Sequence, residues 1–279
     1  MTKESRAVPG TLPASWYAGG PDGTGRREFQ VHAYNDDFYI LRQAAYTNYE
    51  KPFLYLLFGN ERAILFDTGA GKVDVPAAVD GIIKQWLAKH KRASIPLIVA
   101  HTHGHGDHVA GDAQFAGRAD VTLVKKDTES VRAFFGIVNW PADAVTFDLG
   151  GRILDILPIP GHEASSIAIY DRQTHVMLTG DTFYPGRLYV RDGVAFTTSV
   201  QRLVDFSATH PVVYFLGTHV EQSNEPFKDY PVGTVDQPRE HVLQLRREQL
   251  VEMNDSLKAM NGKVVRKALP SLTIWPVSR

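Results

Sequence analysis

Within His103-Gly104-His105-Gly106-Asp107-His108 the chain sets three imidazoles and a carboxylate into six consecutive residues, in the order His-x-His-x-Asp-His. Imidazole nitrogen and carboxylate oxygen are the donors that a borderline divalent cation such as zinc prefers, and a catalytic centre keeps one coordination position open for water or substrate. Four donors this close exceed what one ion ordinarily takes from one short loop, so the spacing implies two ions. Residues two apart on an extended segment face the same side. His103 and His105 can therefore share one ion while Asp107 and His108 turn towards the other. Gly104 and Gly106 suit a backbone that folds tightly around such a pair. A run this rich in histidine also occurs as a solvated loop or an adventitious chelator, and its surroundings decide between the two.

Those surroundings are strands and helices in alternation. Alternating or continuous apolar runs predict strands at 29–34, 38–43, 53–58 and 63–67, with Gly59-Asn60 as a hairpin turn. Val79, Ile82, Ile83, Trp86 and Leu87 recur at helical spacing and predict an amphipathic helix over 75–90. The apolar run 96–100 reads as a buried strand that delivers the His-rich motif from its carboxyl end. The second half repeats the pattern. Strands are expected at 121–124, at 145–149 and 152–159 around Gly150-Gly151, at 166–170 and 176–179, at 212–216 and at 272–275. Helices are expected at about 127–135 with Asp127 as cap, at 199–209 and at 239–260. Strand runs with helices at intervals in both halves describe an α/β fold of two sheets packed face to face with helices outside.

Three further polar residues each end an apolar strand-like run beside a glycine. They are His162 after Pro160-Gly161, Asp181 after Thr179-Gly180, and His219 after Gly217-Thr218. Taken singly such residues are usually surface or core-edge groups; taken together they read as ligands.

Composition narrows the class. The chain has 279 residues, 43% apolar and 22% charged, with a formal net charge of -1 and no cysteine. Scattered basic residues offer no footprint for nucleic acid. No apolar run reaches the ~18 residues of a membrane span, and the first residues lack the apolar region of a signal peptide. The expectation is a cytoplasmic protein with a small-molecule substrate and with neither nucleic acid nor membrane as partner. Residues 1–27, rich in Gly, Pro and Ser, are expected to form an extended arm ahead of a single domain over 28–279. The stretch 221–238, with three prolines and no periodicity, is a candidate lid or homodimer contact.

In these motifs the sequence resembles the metallo-β-lactamase superfamily, whose signature elements occur in order from about residue 50 to 220. Asp67, in Phe66-Asp67-Thr68-Gly69, matches the acidic residue that supports the metal loop. The resemblance implies the family's four-layer αβ/βα sandwich with two divalent ions, zinc first, iron or manganese as alternatives. It implies that one ion takes His103, His105 and His162, the other Asp107, His108 and His219, and that Asp181 bridges them. The β-lactamase subclass with a Cys ligand is excluded by the absence of cysteine. A complete ligand set with a bridging Asp is similar to the glyoxalase II and acyl-homoserine lactonase branches. Tyr184, three residues after Asp181, resembles a lactonase tyrosine that reaches the substrate carbonyl, and the segment 216–222 is similar to the lactonase segment around the last His.

The chemistry implied is hydrolysis of an ester, lactone or thioester carbonyl by a metal-bridging hydroxide. In it Asp107 orients the hydroxide and shuttles a proton, and Tyr184 donates to the oxyanion. Two alternatives stay open: an iron-dependent oxidoreductase similar to the persulfide dioxygenases, and hydrolysis of a phosphodiester or β-lactam. His101 is expected to support the loop rather than bind metal. Phe134, Phe135, Ile137, Val138, Trp140, Tyr189 and Phe196 are either core residues or the walls of an apolar pocket.

Overall fold

The strands around the His-rich loop are apolar on both faces, and the computed structural model, which describes residues 7–17 and 27–277, gives the reason. In chain order the elements are β1 (Phe29–Asn35), β2 (Phe38–Gln43), β3 (Phe53–Phe58), β4 (Ala63–Phe66), α1 (Val75–His90), β5 (Leu97–Ala100), the single turn α2 (Gly106–Val109), β6 (Val121–Leu123) and α3 (Thr128–Phe135). The second half adds β7 (Val145–Asp148), β8 (Ile153–Pro158), β9 (Ile167–Asp171), β10 (Val176–Gly180), β11 (Arg187–Val190), α4 (Gly193–Thr209), β12 (Tyr214–Gly217), β13 (Gln244–Leu245), α5 (Arg247–Ala259), β14 (Lys267–Ala268) and β15 (Thr273–Pro276). Strands β1 to β6 form one sheet in sequence order, and a second runs β13-β12-β10-β9-β8-β7. A small third sheet, β11-β15-β14, lies beside them.

Side chains two apart on a strand share a face, so each strand feeds two cores. Phe53, Tyr55, Leu57, Ile64, Phe66 and Ile98 meet Leu154, Ile156, Ile167, Ile169, Leu178 and Leu216 between the two large sheets. Their neighbours Leu54, Leu56, Leu65, Leu97 and Val99 point the other way, onto Val79, Ile82 and Trp86 of α1. Across the second sheet, Leu157, Met177 and Phe215 pack on Val200 and Leu203 of α4 and on Leu250 and Met253 of α5. The order is helix, sheet, sheet, helix, and coverage on both sides explains the unbroken apolar runs. No helix among the described residues is long and apolar enough to cross a membrane.

Expected boundaries at 38–43, 53–58 and 75–90 coincide with β2, β3 and α1. Others move. Helix α4 starts at Gly193, six residues before the expected 199, because Asp192 caps it by accepting from the N–H groups of Val194 and Ala195. Helix α5 starts at Arg247, not 239. Residues 239–246 are drawn out of helical geometry by a bridge between Ser223 and Glu240 and by the pairing of β13 with β12. Strand β11 lies outside the expected strands, and β13 and β14, two residues each, are too short to announce themselves by periodicity. Residues 7–17 of the expected arm carry neither helix nor strand but are docked: Val8 N–H donates to Gln173 O, Thr11 N–H to Tyr34 O, and Trp16 packs edge-on against Phe53. The rest of that arm, 1–6 and 18–26, lies outside the described residues.

One buried ion pair ties the two large sheets together. Arg152, 1% exposed, grips Asp171 through Nε and Nη2 at 3.1 and 2.7 Å, and its Nη1 donates to the carbonyls of Asp37 and Phe58 in the opposite half. Removing the cation leaves a buried carboxylate without its partner, a loss of about 3–5 kcal/mol. Arg152→Leu should lower the unfolding free energy by that amount in urea titration; a loss under about 1 kcal/mol would mean that the sheets do not depend on the pair.

Candidate metal centre

The chain returns to one edge of the sandwich five times, at the carboxyl ends of β4, β5, β8, β10 and β12, and each return delivers one of the expected residues: Asp67, the His103–His108 loop, His162, Asp181 and His219. Close approach at two of these ends demands glycine. A Cβ on Gly161 would lie 2.3 Å from Phe196 N, at a φ of +134°, and one on Gly217 would lie 2.3 Å from the Tyr184 Cβ. The His-rich motif is not extended throughout. It turns into the single helical turn α2 at Gly106, and that turn swings Asp107 and His108 away from His103 and His105.

Two groups of donors result, with Asp181 in both. His103 Nε2, His162 Nε2 and His105 Nδ1 converge, the first two 3.0 and 2.9 Å from the third. Opposite them, His108 Nε2 and His219 Nε2 each lie 3.2 Å from Asp107 Oδ2. Asp181 stands between, its Oδ2 at 3.8 and 3.5 Å from His103 and His162 and its Oδ1 at 3.7 and 3.4 Å from His108 and His219. Within each group the ligand atoms all lie within 4.8 Å of one another. Tetrahedral zinc with nitrogen ligands spaces its donors about 3.3 Å apart, so the donor set and its spacing fit a divalent ion in each group.

The imidazoles are aimed by what holds their far nitrogens. His162 Nδ1 donates to Tyr189 O at 2.7 Å and His219 Nδ1 to Glu50 O at 2.8 Å, and a carbonyl can only accept. His108 Nδ1 donates to Asp67 Oδ2 at 3.0 Å. Each ring is left with Nε2 directed inward. Asp67 also accepts from the N–H and hydroxyl of Thr102, and it holds a left-handed φ of 71°, uncommon for a residue other than glycine. Its backbone is bent so that one carboxylate serves two segments.

The two groups differ electrostatically. Burial pulls His103 well below the usual imidazole range, burial and then His162 bring His105 down to about 4, and burial also lowers His162. These three rings are uncharged, with lone pairs free to coordinate. In the other group burial again opposes charge, but Asp107, Asp67 and Asp181 outweigh it at His108, and Asp181 and Asp107 push His219 up to about 10. Burial works against ionisation of Asp107 and Asp181 too, yet the facing imidazoles hold both well below the usual carboxylate range. Here the carboxylates favour the protonated rings, and a dication bound between them would take the place of those protons.

The structure thus brings His103, His105, Asp107, His108, His162, Asp181 and His219 together. His101 stays outside both groups, buried with Nε2 3.3 Å from Asp112 Oδ2. Tyr184 is corrected. Its hydroxyl, in a side chain 1% exposed, donates to Arg187 O and lies 3.1 Å from Glu221 Oε2, so its single proton is engaged away from the two donor groups; its ring lies 5.6 Å from the His219 ring. The apolar residues that read either as core or as pocket wall are mostly core. Phe135 and Ile137 belong to the inter-sheet core with Phe134 and Trp140 against it, Phe196 is core, and Val138 is exposed. Loop 221–238 folds on itself through Tyr230 N–H to Glu221 O and the bridge between Gln222 and Asp229, and Arg187 Nη1 holds the Tyr230 carbonyl from β11. The carbonyls of Glu50 and Tyr189 were beyond sequence reasoning, since any residue supplies one.

The pattern of the metallo-beta-lactamase superfamily matches residues 51–219. Among curated proteins, the acyl-coenzyme A thioesterase MBLAC2 of Bos taurus is 26% identical over 195 residues, which is 58% of this chain and 69% of that protein. A hydroxyacylglutathione hydrolase of Rhizobium meliloti is 27% identical over 106 residues, 37% of this chain and 41% of that one. A solved metallo-beta-lactamase from Pontibacter korlensis shares the fold, with a TM-score of 0.52 at 17% identity over 82% of this chain and 99% of its own.

The committed Tyr184 hydroxyl has a measurable consequence. Tyr184→Phe should cost about 1–2 kcal/mol of stability through lost buried hydrogen bonds, while metal content is unchanged and kcat on a carbonyl substrate falls less than about threefold. A tenfold or greater fall in kcat would return the tyrosine to the oxyanion.

Proposed function

We propose that this chain, which belongs to the metallo-beta-lactamase superfamily, is a dinuclear metal-dependent hydrolase that cleaves an acyl thioester into a carboxylate and a thiol. The reading rests on Asp181, whose two oxygens face two separate donor groups. A carboxylate in that position serves two ions at once. Bound there, a pair of divalent cations, zinc by donor preference, supplies a water that ionises near neutral pH and a Lewis acid for the carbonyl.

The side chains divide the remaining work. His103, His105 and His162 would hold one ion, Asp107, His108 and His219 the other. Asp107 is the more open carboxylate, 23% exposed against 8% for Asp181. It takes the proton of the attacking water and returns it to the departing thiolate. Asp67, Tyr189 O and Glu50 O keep the rings from turning during that exchange. The names of the relatives favour a thiol-linked acyl group. With the Tyr184 hydroxyl committed elsewhere, the lactonase reading loses its main residue. A formal net charge of -1 with scattered basic residues suits a small-molecule substrate better than nucleic acid.

Metal analysis of the loaded protein should give two divalent ions per chain, with turnover of thioesters in a screen that also offers lactones, phosphodiesters and β-lactams. Asp181→Ala should leave one ion or fewer and cut activity about a hundredfold or more, whereas His101→Ala should keep both ions. One iron per chain with oxygen consumption would replace this reading by the dioxygenase one. Turnover confined to phosphodiesters would keep the metals and remove the thioester.

A further inference from the structure

The two halves of the centre are joined from within by Asp181, but strand β11, which aims His162, also meets the segment after His219 at a contact that touches neither ring. Strand β11 supplies no ligand. Its Tyr189 carbonyl aims His162, and two residues earlier Arg187 reaches into the loop that follows His219. Arg187 is 5% exposed at its side chain. Its Nη2 donates to Glu221 Oε1 at 2.7 Å, its backbone N–H to Glu221 Oε2 at 2.7 Å, and its Nη1 to Tyr230 O at 2.6 Å. Glu221, two residues beyond His219, is bound in return by its own N–H to Pro185 O at 2.8 Å. Tyr184, whose ring lies against His219, places its hydroxyl between Arg187 O and Glu221 Oε2.

Among the described residues strand β11 pairs with β15 alone, in the small sheet, so the strand ladder does not fix it against β12 and the His219 loop. The Arg187–Glu221 contact does so, together with the N–H groups of Glu221 and Gln222 on Pro185 O just before the strand. One guanidinium nitrogen and the Arg187 main-chain N–H take the two oxygens of Glu221 while the other guanidinium nitrogen holds Tyr230 O, and three bonds from one residue set distance and angle together.

We propose that Arg187 and Glu221 are a positioning pair that sets the spacing of His162 against His219, and so the geometry of both ion sites at once. Neither residue touches an ion or substrate. The proposal rests on the two-ion reading above, because it concerns how the two donor groups are held relative to each other.

Glu221→Gln keeps the shape and removes the charge. Competition with a chelator should show both ions held about tenfold or more weakly, as when partners of metal ligands are removed, and the cobalt-loaded variant should show shifted visible absorption bands. Arg152→Leu, which loosens the sheets elsewhere, serves as the control for general destabilisation and should leave the cobalt spectrum unchanged. Should Glu221→Gln fold poorly, Arg187→Lys, which keeps the charge and loses the fork, should shift the spectrum in the same sense. A wild-type spectrum and affinity in a Glu221 or Arg187 variant whose thermal midpoint has dropped would overturn the proposal, because the pair would then serve stability alone. Failure of the wild-type chain to take up two ions would instead strike the two-ion reading itself, and a changed spectrum without any thioester turnover would leave the positioning role standing.

Discussion

Five imidazoles and two carboxylates crowded at one buried edge form an arrangement that solvation opposes, since each charge is stripped of water and each lone pair faces others of its kind. Everything else in the fold answers that problem. Strands with both faces covered form a stiff frame, and the donors sit on the short returns at the ends of those strands that run in the same direction within each mixed sheet. Carbonyls, Asp67 and Thr102 take the far sides of the rings, so that the unfavourable encounters are confined to the interior of the cluster, where cations can resolve them.

The same logic recurs away from the donors. Glu240, near the end of the long connection after His219, receives both Arg42 nitrogens at 2.5 and 2.6 Å and Lys51 Nζ at 3.0 Å. Burial brings Lys51 down to about 8, and Glu240 supports its charge. Lys51 adjoins Glu50, whose carbonyl aims His219. One glutamate thus binds the connection to the first sheet and steadies a segment that borders the centre. Such buried clusters add little net stability, but they select one arrangement over its neighbours.

How much of this could be read beforehand follows the physics. Helix α1 was legible to its ends because its apolar stripe, its cap and the surrounding loops all agree. The donor residues were legible because their chemistry is dense and each ends a run of apolar strand. Helix α5 was misjudged by eight residues, for Glu240 and its neighbours are helix formers by type and are held otherwise by partners distant in sequence. Tyr184 was misjudged for a related reason: spacing places it beside the centre, but the direction of its hydroxyl is set by Arg187 and Glu221, which no local pattern reveals.

Two of the imidazoles are aimed by main-chain oxygens rather than by side chains. The carbonyls belong to Glu50 and Tyr189, whose own side chains are partly exposed beside the cluster. A carbonyl is present whatever residue carries it. At both positions the identity of the side chain is therefore decoupled from the ligand geometry, and substitution can reshape the rim of the centre while the rings keep their aim. Selection for a new substrate has, in these two residues, material to work with that the metal chemistry does not constrain.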